Sequence, residues 1–155
     1  MTADELREEI GIELEMLNNV VRELALLRTD VGTHEPSVRE KTAAAAFMAQ
    51  FYGGVENILK RISRFHGVQL PTGDTWHIDL FKMFCIPASE PLPALFDDAQ
   101  AASMASYRKF RHVVYHGYGF QLDWHRMQEG LKNIAEVFQS FQSVALRYLK
   151  TLLQA

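Results

Sequence analysis

At 155 residues, with 48% hydrophobic and 23% charged residues, the chain has the size and composition of one globular domain with a real core. A net charge of -3 and a pI near 6.1 exclude a global basic field, so any nucleic-acid contact must come from a local patch. The single cysteine, Cys85, excludes an intrachain disulfide and fits a reducing cytoplasm. No signal peptide is expected, and no apolar run is long enough to span a bilayer.

Thr2-Ala3-Asp4-Glu5 is a capping-box pattern. From Leu6 to Leu27 the apolar residues recur at three- and four-residue steps, which predicts a first helix of about seven turns. Thr29 to Pro36 reads as a loop. A second long helix starts near Ser37, carries Ala43 to Ala46, and runs to about His66, where Gly67 stops it. Its Gly53-Gly54 pair points to the close approach of another helix. Val68 to Asp74 is a connector, and Asp74 is placed to cap a short third helix through Trp76, Leu80, Phe81 and Phe84. Three prolines between Ile86 and Pro93 break the pattern. A fourth helix follows, irregular around Asp97-Asp98, and after Gly117-Tyr118-Gly119 Asp123 caps a last helix reaching Leu152. Met16, Met48 and Met83 read as core, Cys85 as buried filler, and Glu56 as the partner of a basic residue. The fold class is all-α: one helical bundle of about five helices spanning 1–155.

The fourth helix ends in Phe110-Arg111-His112-Val113-Val114-Tyr115-His116-Gly117-Tyr118. On an ideal helix His112 and His116 share a face, whereas Arg111 and His116 stand about 140° apart. Gly117 predicts the helix end, and a fraying last turn would let His116 and Tyr118 swing towards Arg111. Both Arg111 and His116 lie off the apolar stripe, so losing either should cost little packing.

Cleavage of RNA without a metal needs a group to take the 2′-hydroxyl proton, another to protonate the leaving 5′-oxygen, and a cation for the phosphorane. Histidine suits proton transfer because its ordinary pKa is roughly 6.5. Arginine suits phosphate because its planar fork donates two parallel hydrogen bonds. Arg111 and His116 supply these parts, and Tyr107-Arg108-Lys109-Phe110-Arg111 adds local positive charge and aromatic surface for RNA. One copy offers few proton-transfer groups; a two-fold dimer would supply two arginines and two histidines.

Phe110-Arg111-His112 to His116, Tyr118-Gly119-Phe120 and Leu122-Asp123-Trp124 resemble the HepT-like branch of the HEPN superfamily. Phe51-Tyr52 with Val55 to Ile62 is similar to that branch's second helix, and Trp76-His77 with Leu80 to its short third helix. The resemblance implies a dimeric bundle with a composite, metal-independent endoribonuclease site and no cofactor. Arg111 and His116 would be the catalytic pair, His112 the polar residue after the arginine, and Tyr118 the motif tyrosine. Arg108 and Lys109 would assist RNA binding. HepT-like toxins are typically encoded with a minimal nucleotidyltransferase antitoxin, which in studied systems attaches AMP to that tyrosine.

Two other classes compete. His112 and His116 form an H-x3-H pair that could bind a metal in a DinB-type bundle, with His66, His77 or His125 as third ligand. A catalytically silent HEPN module would bind only a nucleotidyltransferase or nucleic acid.

Overall fold

Thr2 and Ser37 each start a long helix with the same reciprocal pair of hydrogen bonds. The hydroxyl accepts from the N–H three residues on, and the glutamate there, Glu5 or Glu40, accepts from the cap's own N–H. In the computed structural model, which describes residues 1–153, these helices are α1 (Ala3–Val31) and α2 (Val38–Phe65). They are followed by α3 (Trp76–Lys82), α4 (Asp98–His116), a 3-10 turn (Gly119–Gln121) and α5 (Trp124–Leu153). No strand is present among the described residues. The all-helical bundle of five helices agrees with the sequence reading.

The centre of the bundle is α2, which packs against α1, α3, α4, α5 and the 3-10 turn. Its buried stripe of Met48, Phe51, Tyr52, Val55, Ile58, Leu59 and Ile62 meets Leu6, Ile10, Leu14 and Leu17 of α1 and Ile134, Phe138 and Phe141 of α5. Phe51 stands edge-on to Tyr107 and Phe138, with ring centroids 5.4 and 6.4 Å away. Burial raises the Tyr107 phenol pKa to about 12, and its hydroxyl donates to Gly130 O at 2.8 Å. The end of α2 closes with Gly67 at φ +68, Gly67 N–H donating to Arg64 O and Val68 N–H to Ser63 O, a Schellman turn. Across the α1/α2 face Arg61 bridges Glu9 at 2.6 Å and Glu13 at 3.2 Å.

Five local expectations change. Helix α1 continues through Thr29 and Asp30 to Val31, because burying Val31 against the core outweighs an early stop. Asp74 does not cap α3; Thr75 holds the cap position and its hydroxyl donates to the Asp79 carboxylate instead. The Asp97-Asp98 irregularity is a helix start, with Asp97 capping α4 and Gln100 completing the reciprocal pair. Met16 is 54% exposed and not core, although Met48 is buried and Met83 packs against the core. Of the two mid-helix glycines only Gly54 marks a close approach. A Cβ there would lie 2.3 Å from Leu17 Cδ2 and 3.0 Å from its Cγ, whereas at Gly53 nothing lies within 4 Å.

That difference separates two substitutions of identical chemistry. Gly53→Ala should stabilise by about 0.8–1.0 kcal/mol through helix propensity, raising Tm by roughly 2–4 °C. Gly54→Ala gains the same propensity but must displace the buried Leu17, at a cost of about 1–3 kcal/mol, so its Tm should fall. Thermal melts followed by circular dichroism check the opposite signs.

Candidate active site

The face that α2 turns to the core carries Tyr52 and, one turn later, Glu56, which is 2% exposed. A buried carboxylate is costly unless it is paired and hydrogen-bonded. Two partners arrive from elsewhere in the chain. His77, at the start of α3, presents Nδ1 to Glu56 Oε2, and Arg111 of α4 brings its Nε to 3.6 Å from Oε1. The paired-Glu56 expectation is thereby met, with both partners identified. Tyr52 is fully buried beside them, and its hydroxyl has no hydrogen-bond partner. Burial first, and the Glu56 charge second, hold its phenol well above the ordinary range.

Arg111 Nη1 lies 3.0 Å from His77 Nδ1 and 2.9 Å from Nε2. A donor in the plane of the imidazole and aimed at one nitrogen would be out of hydrogen-bonding reach of the other. Near-equal distances therefore put the guanidinium over the ring face, a cation–π contact that leaves the in-plane lone pair of Nε2 unconsumed. Tyr115 flanks the guanidinium carbon at 4.9 Å and Trp76 at 6.0 Å. Carboxylate, imidazole and two aromatic rings thus hold one arginine, which keeps 23% of its side-chain surface.

The start of α3 and the second half of α4 form the walls of a cleft of about 810 Å³, lined by His77, Arg108, Lys109, Arg111, His112 and His116 among others. The sequence-derived candidates Arg111, His116, His112, Arg108 and Lys109 share this cleft. Arg108 also lies over the Phe81 ring, 5.6 Å from its centroid. The His112 and His116 rings are adjacent, 4.4 Å between centroids, as their spacing on one helix face requires. Tyr118 does not line this cleft. It lies past the helix end, 68% exposed and stacked on Phe120.

The fraying last turn is corrected: α4 remains helical through His116, and Gly117 ends it in an extended conformation. His116 and Arg111 both line one cleft without unwinding of the helix. A second correction concerns packing, since removing Arg111 would leave Glu56 buried with His77 alone. Deleting one partner of a buried ion pair costs about 3–5 kcal/mol, and the partial exposure of Arg111 and the remaining histidine put this case towards the low end.

The H-x3-H pair gains no third metal ligand. Among the described residues no group of three or more His, Cys, Asp or Glu is arranged to hold a metal. His66 instead pairs with the Tyr148 hydroxyl at 2.7 Å, and burial lowers its pKa. His77 is engaged by Glu56, and His125 sits in the first turn of α5, outside the cleft.

His77 is the member of the site that motif reading assigns no catalytic part. One signal was available: Glu56 falls on the apolar stripe of α2, four residues after Tyr52 and three before Leu59, where a carboxylate demands a cation. Which cation answers is decided by tertiary packing, 21 residues away for His77.

Comparison with family descriptions matches the chain over residues 43–152 to the family described as HepT-like protein, a span that takes in most of α2 and everything through α5. No curated protein and no solved structure matches. A match over well more than half of the chain fixes the relationship: this protein belongs to the HepT-like family of the HEPN superfamily, whose members are generally ribonucleases.

Proposed function

We propose that the protein is a metal-independent endoribonuclease toxin, cutting RNA by attack of a ribose 2′-hydroxyl on the adjacent phosphodiester. The observation that carries the reading is the anchored Arg111 lining one cleft with His116, Arg108 and Lys109. An arginine fixed before substrate arrives loses little entropy on binding phosphate, and its charge acts where the phosphorane develops. His116, which lines the same cleft, is the proton-transfer group. The local cluster of cations supplies the phosphate attraction that the net charge of -3 does not.

Homodimerisation is part of the proposal. Tyr115 is exposed on the cleft side of α4, and pairing through this face would cover it and set two clefts side by side. Tyr118, exposed and outside the cleft, is the residue we propose a minimal nucleotidyltransferase antitoxin modifies with AMP. Adding a phosphate-linked group next to the cleft would repel RNA phosphates.

The purified protein should cleave single-stranded RNA in EDTA and leave 2′,3′-cyclic phosphate ends. Activity lost on chelation and restored by one metal would transfer the assignment to His112 and His116 as ligands. His116→Ala should lower the rate about 10²–10⁴-fold with an unchanged melt. Arg111→Lys should keep the charge near Glu56, hence the fold, yet lose about 10²–10³-fold in rate for want of the planar fork. Wild-type rates in both variants would remove these residues from the mechanism, and an inert wild type would favour a silent partner-binding module.

Light scattering at micromolar concentration should give twice the chain mass of 17.7 kDa; a strict monomer contradicts the dimer. Tyr118→Phe should abolish AMP transfer from ATP by a cognate nucleotidyltransferase while cleavage persists. Undiminished labelling of that variant would move the modification to another residue.

A further inference from the structure

Beyond Arg111 and His116, the cleft contains a second proton-transfer group with its own supporting carboxylate. His77 lines the same cleft as His116, is 26% exposed at its side chain, and presents Nδ1 to the buried Glu56. A carboxylate on one imidazole nitrogen fixes the tautomer, placing the proton on Nδ1 and the lone pair on Nε2. It also stabilises the imidazolium that forms when Nε2 accepts a proton. The face-on contact from Arg111 leaves that lone pair unconsumed. Trp76 covers the ring with centroids 3.4 Å apart, so the imidazole is held between aromatic and guanidinium faces with little rotational freedom.

We propose that His77 is the general base of the ribonuclease reaction and Glu56 its positioning residue, an inference that rests on the nuclease reading above. His77 Nε2 takes the proton of the 2′-hydroxyl as the 2′-oxygen bonds to phosphorus. The bond from phosphorus to the 5′-oxygen then breaks, and the 5′-oxygen takes a proton from the His116 imidazolium. Arg111 holds the non-bridging oxygens throughout. The products are a 2′,3′-cyclic phosphate and a 5′-hydroxyl, with no net change in protons. The buried carboxylate has a double role, since it orients the base through His77 and anchors the clamp through Arg111.

The test compares His77→Ala and His77→Gln with wild type on one RNA oligonucleotide, with melts recorded for each. Both variants should lose about 10²–10⁴-fold in rate, and added imidazole should restore part of the activity of His77→Ala, whose cavity can admit it. Glutamine retains an amide to donate to Glu56 and a planar face for Arg111, but it cannot transfer a proton. Near-wild-type cleavage by His77→Gln would therefore reduce His77 to a structural spacer and overturn the proposal. So would a His77→Ala defect that imidazole leaves unchanged while the fold is intact. Wild-type protein that cuts no RNA overturns the nuclease reading itself, and this assignment with it. An active wild type with an active His77→Gln overturns this assignment alone.

Discussion

The Glu56 carboxylate is the constraint on which the site depends. It sits on the central helix at 2% exposure, where an unpaired negative charge would be strongly destabilising. The bundle answers with one cation-capable side chain from α3 and one from α4, so three helices are tied to a single buried group. The arrangement brings specificity more clearly than stability, since a well-packed apolar trio could hold the same helices together. What an apolar trio could not do is present an oriented arginine and an oriented imidazole at the rim of a cleft.

The remaining architecture can be read as the means of holding α2 in place. Gly54 lets α1 approach, with Leu17 filling the space a side chain would take. Gly119 does the same for the 3-10 turn, where a Cβ would stand 2.1 Å from Thr42 Oγ1. That contact fixes the chain leaving α4 against the start of α2, while Tyr118 remains exposed. Helix through His116 keeps His112 and His116 on the wall of the cleft, while Phe138 and Phe141 of α5 join the core. The chain is acidic overall, while Arg108, Lys109 and Arg111 are gathered along one cleft.

Long-period features were legible in the sequence because their causes are local. The capping box of α1, the start of α2 near Ser37, the glycine stop after His66 and the apolar stripe of α5 follow from hydrogen bonds and spacings within a few residues. The end of α1 is not legible locally, because Val31 is held by burial, which the surrounding Thr-Asp-Val-Gly does not announce. Arg111 and His116, which line one cleft, are marked in the sequence by a motif on one helix. Glu56 was recognised as needing a cation, but its link to His77 and Arg111 joins α2 to α3 and α4 and leaves no periodic trace. Nothing local to Arg111 marks it as part of the fold, which it is through Glu56.

The most direct test of this account is a double-mutant cycle between Glu56→Gln and Arg111→Met, read as unfolding free energy by denaturant titration. If the buried carboxylate holds the arginine, the two changes should be non-additive, with a coupling energy of about 0.5–3 kcal/mol. Strict additivity would contradict the account, because it would mean that Glu56 and Arg111 are neighbours without being partners.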